Sequence, residues 1–158
     1  MTPEKLLRIV IIFLFITGLL LIFLSLTAEW LGVDLTPGFG AIQMFQLLLG
    51  LTLLTGAGYL QIYTLRSADA PRSLQADIGI RLGATGLVLA YVAGLSDLVG
   101  IGTHTEPGFV RPFVGWLQLV GLAMSILLIT IGLLLYFTSR GTRPSSSLEF
   151  LLRDKTEQ

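Results

Sequence analysis

The sequence predicts an all-α integral membrane protein, with four transmembrane helices forming two parallel-repeat helical hairpins in a compact bundle. Three observations carry that expectation. Residues 9–28, 35–65, 82–96 and 112–139 contain no Asp, Glu, Lys, Arg or His, and a hydrocarbon layer roughly 30 Å thick is crossed by about 20 helical residues. The chain is 53% hydrophobic and only 13% charged, with a mean hydropathy of +0.82, far more apolar side chain than a soluble domain of 158 residues can hide. Basic residues also alternate between connections, nearly absent from one and present in the next.

Taken in order, the first helix is expected over about 7–28, behind Lys5 and Arg8. Its apolar run is longer than a secretory h-region, and Leu26-Thr27-Ala28 lacks the small residue expected two positions before a cleavage site, so it reads as a retained helix. The second helix is expected over about 40–65 and the fourth over about 112–139. The third needs its flanks. Set at about 78–100, it keeps Arg81 and Asp97 near its ends, where an arginine stem reaches headgroups and a carboxylate meets water. Residues 1–140 thus form the transmembrane domain. Beyond it, residues 141–158 read as a cytoplasmic tail, in which Gly141 to Ser147 is a flexible break. Ser146 and Glu149 then have capping-box spacing, and Leu148, Leu151 and Leu152 share a face of a short amphipathic helix.

Orientation follows from the basic residues. Lys5 and Arg8, then Arg66, Arg72 and Arg81, then Arg140, Arg143, Arg153 and Lys155 fall on one side, against Arg111 alone on the other. The positive-inside rule places both termini in the cytoplasm of a multi-pass protein. Trp30 and Trp116 then approach the outer boundary and Tyr59, Tyr63 and Tyr136 the inner one, as in an aromatic belt.

The two halves resemble each other. Leu31 to Phe39 and Val99 to Phe109 both end in Pro-Gly-Phe, and Gly40-x-x-Gln43 with Thr55 recurs 75 residues later as Gly115-x-x-Gln118 with Thr130. Each hairpin runs inside to outside to inside, so a duplication would be a parallel repeat about an axis along the membrane normal. Proline tolerates a helix start and glycine a turn, so each Pro-Gly-Phe shapes re-entry into the bilayer.

Helix packing has its clearest code on the third span. Gly79, Gly83, Gly86, Ala90 and Gly94 place small residues on one stripe, where another backbone can come close. The stripe is expected to make the third helix central or, alternatively, to form a seam with another chain. The first span, rich in Leu, Ile and Phe with Gly18 alone, reads as lipid-facing. Asp77 and Arg81, four apart, are expected to pair.

The formal net charge is zero and no basic run offers a phosphate-tracking surface, which excludes nucleic acid as a partner. Lacking cysteine and having one histidine, the chain has no thiolate chemistry and no multi-histidine site within one copy. The polar residues expected within the spans are uncharged, which leaves no carboxylate relay for a pump. Asp34, Asp97, His104 and Glu106 form an outer polar cluster, but their spacing fits no metal motif and reads better as a hydrated rim. Gln43 and Gln118 are the candidates for lining a pathway. No catalytic residue, cofactor or metal is expected. The function expected is that of a noncatalytic structural or accessory subunit acting through helix packing, with the bilayer, other membrane subunits or copies of itself as partners. The alternative is a small-solute or ion channel or transporter, formed between the repeats or by oligomerisation.

Overall fold

The computed structural model describes residues 2–28, 30–32, 39–66, 73–96 and 114–139. They form four helices: α1 (Pro3–Thr27), α2 (Ala41–Thr64), α3 (Leu74–Gly94) and α4 (Trp116–Thr138). Each is long and apolar enough to cross a membrane.

The helix ends have local causes. Pro3 stands in the first turn of α1, where its missing N–H costs nothing, so the helix starts ahead of the position about 7 expected from hydropathy. At α3 the start is Leu74 rather than 78, because Ser73 is a true N-cap whose Oγ accepts from Ala76 N at 3.2 Å. The far end of α3 moves as well, to Gly94 instead of about 100, with the Leu95 N–H donating to Tyr91 O. α2 and α4 open alike: Gln43 Oε1 accepts from Gly40 N at 2.7 Å and Gln118 Oε1 from Gly115 N at 2.8 Å. Half a capping box at each start satisfies one orphan donor, and it sets α4 to begin at Trp116 rather than 112. Ser73→Ala is expected to cost about 1 kcal/mol, with faster amide exchange confined to the first turn of α3; unchanged exchange there would remove the cap from the account.

The buried positions recur every seven residues. Ile11, Gly18 and Ser25 do so on α1, Gln43, Gly50 and Ala57 together with Leu48, Thr55 and Ile62 on α2, and Gln118, Ser125 and Gly132 together with Leu122, Ile129 and Tyr136 on α4. A seven-residue repeat keeps one face turned to the same neighbour over two turns. α3 likewise has two series, Gly79 with Gly86 and Ala76 with Gly83 and Ala90. The first meets α4 and the second lies toward α2.

α1 packs on α2 and α3 on α4, consecutive helices in both cases, and α2 alone touches all three others. This differs from the expectation of a central α3. α1 has a single buried seam, so it is committed to α2, while the faces around that seam carry Phe13, Phe15, Phe23 and other large exposed side chains suited to lipid. Between α2 and the second hairpin, Met44, Leu48, Ala90 and Leu122 pack together toward the start of α2, and Ile62, Ala76 and Tyr136 toward its end.

Candidate functional site

All five residues of the predicted α3 stripe are buried, and the stripe is covered within the chain. Gly79 lies against α4 so closely that a Cβ there would stand 2.7 Å from Gly132 O and 2.8 Å from Tyr136 N. At Gly86 it would stand 2.9 Å from Ser125 O. Only glycine admits such backbone contact, which brings many atom pairs into dispersion range. Gly83 receives the Tyr59 side chain of α2, Gly94 faces Met44 and Leu48, and Ala90 is fully buried among α2 and α4 side chains. The first hairpin has its own version of this contact, missed in the sequence. A Cβ at Gly18 would stand 2.9 Å from Gly50 O, and one at Gly50 2.8 Å from Gly18 O.

Polar side chains between helices bond one another or backbone. Ser25 Oγ donates to Gln43 O at 2.7 Å, joining α1 to α2. Thr52 and Tyr91 share a hydrogen bond of 3.0 Å, and Tyr59 Oη donates to Gly79 O at 2.8 Å, joining α2 to α3. Gln75 Nε2 donates to Thr138 Oγ1 at 2.8 Å and Gln118 Nε2 to Ser96 Oγ at 2.9 Å, tying the second hairpin at both ends. Such bonds contribute roughly 0.6 kcal/mol each in a membrane. Among the described residues no buried side-chain nitrogen or oxygen lacks a partner. The lipid-exposed hydroxyls of Thr85 and Thr130 are satisfied locally, each donating to the carbonyl four residues earlier.

Gln43 and Gln118 are both buried, and both amide oxygens are engaged at helix starts. Their neighbours in the repeat differ more than the sequence suggests: Thr55 is buried, Thr130 exposed. Arg81 and Asp77 make the expected ion pair at 2.9 Å, on the exposed side of α3. Arg66, just past α2, lies over the Tyr136 ring at 5.8 Å, and Tyr136 in turn stands 5.5 Å from Tyr59, ring centre to ring centre. Asp34, Asp97, His104 and Glu106 lie outside the described residues, as does the tail 141–158. Among the described residues no three of His, Cys, Asp or Glu come together to hold a metal.

Ser25, Gln75, Ser96 and Thr138 are the contacts that sequence reasoning did not single out. Ser25 had a usable signal, since it stands seven residues after Gly18 and fourteen after Ile11 on a helix otherwise made of large apolar side chains. No family model matches the chain, and no curated protein or solved structure matches it either.

Proposed function

We propose that this chain is a noncatalytic integral membrane protein, a structural or accessory subunit of a larger membrane complex that works through its helix faces. The observation that carries this reading is the use to which the buried polar groups are put. Ser25, Thr52, Tyr59, Tyr91 and Gln118 are engaged in holding helices or helix ends together. A pathway would need polar groups turned to a lumen, and the amide oxygens of Gln43 and Gln118 are occupied by Gly40 and Gly115.

Duplication of a hairpin belongs to the same reading. It is supported by the matched starts of α2 and α4, and by buried Gln43, Gly50 and Ala57 lying 75 residues before buried Gln118, Ser125 and Gly132. Gly18 and Gly86 extend the match, each meeting the carbonyl at the middle position of that series. Both termini face the cytoplasm in this reading, on the strength of the basic residues. The tail 141–158 then offers an inner-face contact.

Purification in mild detergent followed by mass spectrometry tests the proposal. Companions recovered in a fixed ratio are the expected result. A chain recovered without companions, which conducts solute in liposomes, would overturn it.

A further inference from the structure

The outward face of α3 carries an ion pair in the midst of apolar side chains. Arg81 Nη2 meets Asp77 Oδ2 at 2.9 Å, the two side chains are 78% and 53% exposed, and no other described residue joins them. Leu74 and Ile78 flank the pair toward the helix start and Val88 and Val92 beyond it, all exposed, so the charges interrupt an apolar surface. They also lie within the span. Gln75 bonds Thr138 at the end of α4, whereas Gly79 and Gly83, the residues flanking Arg81, both meet Gly132. Thr138 stands six residues after Gly132 on α4, so the Arg81 backbone lies about 9 Å inward of that helix end. Over the same stretch α4 turns Leu134 and Phe137 outward. The polar boundary is therefore stepped, reaching further into the bilayer along α3 than along α4.

We propose that Asp77 and Arg81 hold the zwitterionic headgroup of a phospholipid with a primary amine, of the phosphatidylethanolamine class. Exposed charges at this depth draw headgroups and water inward, because hydrocarbon offers them nothing. Side chains on a helix lean toward its N-terminus, so Arg81 snorkels toward the headgroup layer on the side where α3 begins and reaches Asp77 from the side of the bilayer centre. A guanidinium has five N–H donors, and a contact through Nη2 leaves most of them for a second anion. Phosphate is the anion at hand, and it takes a guanidinium in bidentate fashion. The order of the charges then selects the headgroup. In a phospholipid the phosphate lies deeper than the amine two carbons away, and on α3 the base lies deeper than the acid, so phosphate falls on Arg81 as ammonium falls on Asp77. Four alternating charges result. A primary ammonium donates hydrogen bonds to the carboxylate, which a trimethylated amine cannot do. A headgroup with no amine leaves Asp77 facing phosphate.

The test offers the full chain, purified in mild detergent, equal amounts of ethanolamine, choline and glycerol phospholipids with identical acyl chains. Native mass spectrometry is expected to find the ethanolamine lipid retained about tenfold over the other two. Equal retention of the three overturns the proposal, and so does preference for the glycerol headgroup, which would make Arg81 a plain anion site. Asp77→Arg combined with Arg81→Asp keeps an ion pair four residues apart but inverts its order in depth. That double variant is expected to lose the ethanolamine preference, whereas a bridge that only braces the helix would not register the inversion. Unchanged preference overturns the proposal. The comparison of lipids on the unaltered chain remains decisive if the double variant fails to insert. The chain lacks cysteine, so a photoreactive maleimide on Ala84→Cys, one turn from the pair, reports what covers it in native membranes. Phospholipid adducts are expected, and an adduct with a polypeptide, a second copy or another chain, overturns the reading. The subunit proposal stands apart, since fixed-ratio companions decide that and headgroup selection decides this.

Discussion

Gly132→Leu is expected to separate α3 from α4 and to lower stability by about 3 kcal/mol, at the upper end of overpacking costs. The reason is that the obstacles are backbone. A Cβ at Gly132 would stand 2.7 Å from both Gly79 O and Gly83 N, neither of which can rotate aside. Relief requires the helices to part, with loss of the dispersion contacts that hold them where lipid is as apolar as any side chain. The measurement is the midpoint of unfolding in a detergent titration. Gly56→Ala serves as the control, since nothing lies within 4 Å of a Cβ there, and its midpoint should not fall. A Gly132→Leu protein as stable as the parent would mean that the two backbones do not meet at this level.

Gly83→Ala should cost about 1–2 kcal/mol in the parent and much less when Tyr59 is leucine, a coupling of about 1 kcal/mol. The new methyl group would fall on the Tyr59 hydroxyl. Tyrosine can swing away only by giving up its hydrogen bond to Gly79 O. Leucine at 59 has no atom in that slot, so the methyl is accepted there, although Tyr59→Leu alone forfeits the hydrogen bond and ring packing against Tyr136. Additive effects of the two substitutions would show that Tyr59 does not enter the groove between α3 and α4.

Much of the fold was legible in the residues. The absence of charge over long stretches marked all four helices, and the spacing of Gly79, Gly83, Gly86, Ala90 and Gly94 marked a buried stripe. What hydropathy could not place were the ends of α3. Arg81 looked like a boundary because a charge is costly in hydrocarbon, yet Ser73 supplies the cap and Asp77 the counter-ion that let the helix begin earlier. Gly18 was hidden for a different reason. One small residue makes no stripe, and its meaning depends on Gly50 opposite, a pairing across helices that no single-helix pattern contains. Tyr59 illustrates the same limit: its place in an inner aromatic belt was readable, whereas its bond to a backbone carbonyl of α3 follows from the glycines that clear a path to it.

Because α1 touches only α2 among the four described helices, and the most extensive contacts join neighbours in the chain, assembly can keep pace with synthesis. The first hairpin has every partner it needs for its Gly18 and Gly50 contact before α3 has left the ribosome, so little apolar backbone waits unpaired in the membrane for a distant segment to arrive.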